Sequence, residues 1–253
     1  MSSGLKQIRF GRMSFPVKAV GFDKDGTLFE SVHFWHYIDT LRLKAYLTLT
    51  NGRFADSWSR LMGFSHPDQA DHNGVLATAT MQEEILLVAG LLYTQLNWPW
   101  PRCKERAAWV FESADTQMQI EKAFLPKQGV PEVFDVLKSE GVITGIMTSD
   151  QAARTEACMD LLGIRDRLDF IVTPEEVRRG KPAADMVHAV CGLTGIQPHE
   201  LAVVGDSVVD LQMAKAAGSY AIGFITYEGS EQALTPYADA LITSITDIKL
   251  LRS

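Results

Sequence analysis

The chain is short of several things, and each shortage narrows what it can be. Its three cysteines, Cys103, Cys158 and Cys191, are odd in number, far apart and in no metal-like spacing. That excludes a disulfide scaffold and fits free thiols in a reducing compartment. No uninterrupted apolar run approaches the roughly 20 residues of a membrane span, and the N-terminus lacks the apolar core of a secretory signal. Basic charge is scarce too: 24 Lys and Arg against 31 Asp and Glu leave a formal charge of −7. Non-specific nucleic-acid binding relies on basic surface, so neither nucleic acid nor a membrane is expected as a partner. No internal repeat or low-complexity stretch is present. One local absence runs the other way, since no acid precedes Asp23 whereas Lys6, Arg9, Arg12 and Lys18 do. A transit peptide would carry such a bias; a basic lead-in to the first strand is the preferred reading, with a cytoplasmic location. Oligomeric state leaves no trace in the sequence.

What is present is apolar residue, at 46% of the 253 positions, enough for a substantial core and one or two domains. The stretch Val17 to Leu28, VKAVGFDKDGTL, reads as a buried strand ending in Asp23 and Asp25, with Gly26 to turn the backbone. Alternation along an extended chain predicts both carboxylates on one side and Lys24 on the other. Alone, Asp-x-Asp-Gly is most often a polar turn. An EF-hand loop is excluded, because its sixth position from Asp23 is Leu28 where glycine is required.

After Leu28 the pattern is helical: about 33–49, 54–62, 80–96 with Thr80 and Glu83 as a capping box, and 104–121. The segment 65–74 reads as a polar loop, and Asn97 to Pro101 as a break. All five tryptophans (Trp35, Trp58, Trp98, Trp100, Trp109) lie here and read as the core of a second domain. From Pro131 strands and helices alternate, which implies a doubly wound, Rossmann-like parallel α/β sheet. The first strand belongs to that sheet. The expected division is therefore 1–31 with 119–253 as the α/β core, and 32–118 as an inserted α-helical domain.

Three further strand ends carry groups suited to a phosphate. Thr148 and Ser149 follow the strand Val142 to Met147, and their hydroxyls and nearby N–H groups suit an anion, although a helix cap is the commoner use. Lys181, before Pro182, can neutralise a phosphoryl group or simply be solvated. Asp206 ends the strand Leu201 to Gly205, and Asp210 follows on the next helix. A helix-capping role for Asp206 is the weaker account, because Asp23 and Asp25 already occupy the same sheet edge. Carboxylates converging there would repel unless a cation sat among them, and magnesium is the natural candidate.

Taken in order, Asp23-Lys24-Asp25-Gly26-Thr27, Thr148, Lys181-Pro182 and Gly205-Asp206-Ser207-Val208-Val209-Asp210 resemble the four motifs of the haloacid dehalogenase (HAD) superfamily. The helical insert resembles that family's C1 cap, and the chain is most similar to the phosphoglycolate-phosphatase-like and β-phosphoglucomutase-like subgroup. The resemblance implies a magnesium-dependent phosphatase acting on a small phosphorylated metabolite, a phosphoglycolate-like compound or sugar phosphate, through an aspartyl-phosphate. It implies Asp23 as nucleophile and Asp25 as general acid and base. Magnesium would lie on Asp23, the Asp25 carbonyl and Asp206. Thr148, Ser149 and Lys181 would hold the phosphoryl group, with Asp210 orienting Lys181 or a metal-bound water. Carbon–halogen and carbon–phosphorus cleavage are set aside, since those members lack the second aspartate. A mutase-type phosphotransferase and a non-catalytic phospho-ligand-binding member are the alternatives. Lys24 departs from the small or apolar residue usual between the aspartates. Substrate choice should lie in the insert. There His33, His36, Arg102 and Lys104 read as packed or solvated, and His66, Asp68, Asp71 and His72 as a polar loop, before any reading as ligands.

Overall fold

The computed structural model describes residues 4–66, 69–72 and 74–251, which divide into two compact units, 1–30 with 126–253 and 31–125. The α/β unit opens with a hairpin, β1 (Lys6–Phe10) and β2 (Met13–Val17), then β3 (Ala19–Phe22). The helical unit holds α1 (Ser31–Thr50), α2 (Ala55–Met62), β4 (Phe64–His66), β5 (Gln69–Ala70), α3 (Val75–Thr78), α4 (Met81–Leu96), α5 (Trp100–Gln117) and α6 (Ile120–Ala123). The α/β unit resumes with α7 (Val130–Ser139), β6 (Ile143–Met147), α8 (Ala152–Leu162), β7 (Phe170–Val172), α9 (Asp185–Thr194) and β8 (Leu201–Gly205). It closes with α10 (Val208–Ala217), β9 (Tyr220–Phe224), α11 (Ser230–Leu234), β10 (Ala240–Ile242) and β11 (Ile248–Leu250).

The main sheet has six parallel strands in the order β10-β9-β8-β3-β6-β7. Its strands are nearly continuous apolar runs because both faces are covered. On one face Met147, Val172, Val203 and Leu211 pack with Met186, Val187 and Val190 of α9. On the other, Phe22 meets Phe134 of α7 with ring centroids 4.7 Å apart. From β3 the chain steps out to β6 and β7, then returns past β3 to β8, β9 and β10. The direction of winding thus reverses beside β3, and such a reversal opens a crevice at the carboxyl ends of the strands.

The basic lead-in is ordered differently from the expectation. It forms a hairpin closed by Gly11 and Arg12, with Phe10 paired to Met13 and β11 added on the outer side of β1. Gly11 has a φ of +59°, the left-handed value a two-residue hairpin turn requires of its first residue. Ile8 and Phe10 are fully buried while Gln7 and Arg9 alternate with them.

In the helical unit, the Thr80 and Glu83 capping box is present, with the Glu83 N–H donating to the Thr80 hydroxyl. The last long helix starts at Trp100 rather than Lys104, because Pro101 falls in its first turn, where its missing N–H costs nothing. The polar loop contains the short pair β4 and β5. Of the tryptophans, Trp58 is fully buried and donates from Nε1 to Asp39 at 2.7 Å, whereas Trp100 is 39% exposed. Arg42 donates to Glu84 at 2.9 Å and lies 4.3 Å from the Phe111 ring, so the unit has a charged pair within its own core.

Candidate active site

Register sets the site. Phe22 pairs with Ile146 on one side and Val204 on the other, so Asp23, Thr148 and Asp206 all emerge from the carboxyl edge of three adjacent strands. The Asp23 N–H still donates to the Val204 carbonyl at 2.8 Å, fixing its backbone to β8. Asp23, Asp206 and Asp210 each offer a carboxylate oxygen within 4.8 Å of the others. Lys181, from the segment before α9, places its buried ammonium 2.5 Å from Asp23 and 2.6 Å from Asp210. Asp210 is the third residue of α10, and its other oxygen accepts from the Ser207 hydroxyl at 2.5 Å. The cap of α10 is therefore Ser207, and Asp206 is left to face Asp23.

Three carboxylates against one ammonium leave two negative charges unbalanced. The electrostatics show the strain. Burial pushes the Asp23 carboxyl up to about 7, with Asp210 and Asp25 adding to the rise and Lys181 opposing it. Asp206 is held well above the usual carboxylate range by burial first, then by Asp23 and Asp210. Burial works against the charge of Lys181, but Asp210 and Asp23 outweigh it and keep the ammonium charged. A hard divalent cation fits such a set of oxygens, which offers no nitrogen or sulfur donor. Gly26, at a φ of +84°, gives the cluster its room: a Cβ there would lie 1.9 Å from Asp206 Oδ2.

Asp25 is elsewhere. Its Oδ1 accepts from Lys24 Nζ at 2.6 Å, so the two side chains that alternation separates are in contact. The reason is local. β3 ends at Phe22, and Leu28 and Phe29 both donate their N–H to the Lys24 carbonyl, so the chain past Asp23 is a tight turn without a period of two. Lys24 also reaches Asp150 at 2.9 Å, which in turn holds Arg154 at 2.7 Å. The Asp150 N–H donates to the Thr148 hydroxyl at 3.1 Å, while Thr148 is buried and Ser149 is exposed. Burial raises the Asp150 carboxyl, but Lys24 and Arg154 outweigh it and hold it below its ordinary value. Asp150 and Arg154 were not singled out in the sequence; the signal available was Lys24, a charge on an apolar strand end that needs a counter-charge.

Candidate residues of the helical unit have partners within that unit. His33 is 2.8 Å from the Lys122 carbonyl, His72 meets the Trp35 ring edge-on at 5.5 Å, and Arg102 lies 4.1 Å over Trp98. Asp68 lies outside the described residues. Among the described residues, only Asp23, Asp206 and Asp210 group as a metal site.

The family model for haloacid dehalogenase-like hydrolases matches residues 17–218. The chain belongs to the haloacid dehalogenase-like hydrolases. The match runs from the last residue of β2 to the residue after α10, and so includes every motif residue discussed above. Among curated relatives, the validoxylamine A 7'-phosphate phosphatase of Streptomyces hygroscopicus subsp. limoneus is 26% identical over 237 residues, 92% of this chain and 96% of that one. The phosphoglycolate phosphatase of Chromobacterium violaceum is 33% identical over 120 residues, 47% of this chain and 53% of that enzyme. Among solved structures, a HAD-superfamily hydrolase of subfamily IA from Geobacter sulfurreducens superposes with a TM-score of 0.62 at 20% identity, covering 90% of this chain and 92% of that one. That likeness bears on the HAD fold alone.

Proposed function

We propose that this HAD hydrolase is a magnesium-dependent phosphatase that hydrolyses a small phosphate monoester through an aspartyl-phosphate. The carrying observation is the unbalanced group of Asp23, Asp206 and Asp210 around Lys181, at the carboxyl edge of the sheet. Nearly full-length similarity to a phosphatase of one small phosphorylated compound, and partial similarity to one acting on phosphoglycolate, support the substrate class.

Asp23 attacks phosphorus, and as the ester P–O bond breaks its electron pair stays on the leaving oxygen, which takes the proton of Asp25. Water then attacks the same phosphorus and gives a proton back to Asp25. The acyl-phosphate P–O bond breaks, restoring the Asp23 carboxylate and releasing phosphate. Lys181 offsets charge on the phosphoryl oxygens from between Asp23 and Asp210. Thr148, Ser149 and the N–H groups around them orient the group. Asp23 and Asp206 are the carboxylates that would hold magnesium, with the Asp25 carbonyl, and the ion when bound neutralises charge on nucleophile and phosphoryl oxygens. Asp210 positions Lys181. Selection among substrates we assign to the helical unit.

Phosphate release from a panel of phosphorylated metabolites, with and without magnesium, tests the reading on wild type and Asp23→Asn. Magnesium-dependent turnover that falls by roughly 10⁴-fold or more in the variant is expected, as for other lost nucleophiles. Equal turnover by the variant would sink it.

A further inference from the structure

Lys24 is completely buried, and the mechanism above does not use it. Taking an ammonium out of water is unfavourable unless paired partners replace the lost hydration. A residue that only had to fill this space would be apolar. Here the charge is retained and met by two carboxylates, Asp25 at 2.6 Å and Asp150 at 2.9 Å, with the Phe29 ring 5.9 Å away. These carboxylates come from different strand ends, Asp25 from the turn after β3 and Asp150 from the loop after β6. Asp150 is itself fixed, by the Gln151 N–H at 2.8 Å and Arg154 at 2.7 Å, and its own N–H meets the Thr148 hydroxyl. Lys24 thus ties the turn carrying Asp25 to the loop carrying Thr148.

We propose that Lys24 is a positioning residue for Asp25: its ammonium binds Asp25 Oδ1 and Asp150 together, holds Asp25 apart from the Asp23–Asp206–Asp210 cluster, and leaves Asp25 Oδ2 as the oxygen that carries the proton. Without the ammonium, the Asp25 carboxylate loses its anchor and can join the three others as a cation ligand. An aspartate coordinated in that way is not placed to protonate a leaving group. Lys24 therefore separates an acid from a metal ligand two residues away in one turn. This rests on the acid role of Asp25 stated above.

The test uses aryl phosphates of graded leaving-group acidity, from 4-nitrophenyl to phenyl phosphate, at saturating magnesium. A good leaving group departs without a proton and a poor one does not, so the dependence of kcat/KM on leaving-group acidity reports the acid. Lys24→Met keeps length and burial and removes the charge. It is expected to steepen that dependence as Asp25→Asn does, losing about 10-fold on 4-nitrophenyl phosphate and about 10²-fold or more on phenyl phosphate, within the usual worth of a general acid. In an Asp25→Asn background the same change should cost no more than about 3-fold, because the two act as one unit. Asp150→Asn, which leaves position 24 intact, should steepen the dependence in the same direction and covers the case in which Lys24→Met does not fold. Equal losses on both substrates with Lys24→Met, or with Asp150→Asn where only that variant folds, would overturn the inference and leave Asp25 as the acid. An unchanged dependence in Asp25→Asn itself would overturn the acid role and this inference together.

Discussion

The turn after β3 feeds two ion clusters that differ in balance. Around Asp23, three carboxylates share one ammonium; around Lys24, the carboxylates of Asp25 and Asp150 meet the cations of Lys24 and Arg154. With Asp25 ionised, the second set balances its own side-chain charge. The first is short by two positive charges, and burial together with the neighbouring carboxylates pushes the Asp23 and Asp206 carboxyls up. Proximity of charged groups is common to both, so proximity alone does not mark a cation site. The uncompensated remainder does. It also states what the missing component must be: a compact dication bound by oxygen.

Gly26→Ala should break the first cluster most severely. The added Cβ would lie 1.9 Å from Asp206 Oδ2, so the Asp206 carboxylate has to leave its place in the cluster. Displacement of about 1 Å in such a constellation costs on the order of 10²-fold in rate, and weaker magnesium binding should accompany it. Gly163→Ala is the control: its φ of +66° is as unfavourable to alanine, but no atom lies within 4 Å of the new Cβ. Both variants should lose roughly 1 kcal/mol of stability from the left-handed backbone. Only Gly26→Ala should lose turnover and shift the magnesium half-saturation. Equal kinetics for the two would mean that the clash is relieved without cost.

The two clusters also differ in how far the sequence foretells them. The parallel sheet is legible because strands buried on both faces are written as apolar runs, and the reversal of winding beside β3 brings their polar ends together. Asp23 and Asp206 therefore meet where strand ends place them, and Asp210 and Lys181 join them from the first turn of α10 and the segment before α9. Lys24 and Asp150 do not follow this logic. Their contact depends on a turn that abandons alternation one residue after the strand, and on a partner 126 positions away. The N-terminal hairpin is obscured in another way, since Lys6, Arg9 and Arg12 draw attention to charge while only Ile8 and Phe10 of β1 are buried. The start of α5 was hidden by reading Pro101 as a breaker, when a proline in the first turn favours the helix.

Acidity should separate the clusters next, with opposite slopes. Asp23 and Asp206 have raised folded-state values, so above about 4, and for Asp23 up to about 7, the folded protein binds protons that the unfolded chain does not. Their contribution is complete below the unfolded value and is lost as pH rises through the folded one. Chelated protein should therefore melt several degrees lower at pH 8 than at pH 5.5, and magnesium should remove or reverse that fall by binding the ionised acids. Asp150, held low, contributes above its unfolded value and loses that contribution only as pH drops through its lower folded value. Thermal melts from pH 3 to 8, with chelator and with magnesium, read both effects. A melting temperature that rises from pH 5.5 to 8 in chelator would contradict the charge imbalance assigned to the first cluster.

The smallest effect is expected at the outer end of the balanced cluster. Arg154 is largely buried, at 14% side-chain exposure, and holds Asp150 from one turn along α8 at 2.7 Å. Arg154→Met keeps much of the packing and removes one of the two cations on Asp150, which retains Lys24 and the Gln151 N–H. Partly buried pairs of this kind are worth about 1 kcal/mol, or roughly 2–4 °C in a chain of this size. The acid-side loss of stability should begin at higher pH, because Asp150 has lost part of what holds its value down. Magnesium half-saturation should stay as in wild type, since Arg154 has no contact with Asp23, Asp206 or Asp210 among the described ion pairs. A change in magnesium affinity as large as that of Gly26→Ala would mean that the two clusters act as one, and that charge balance does not divide them.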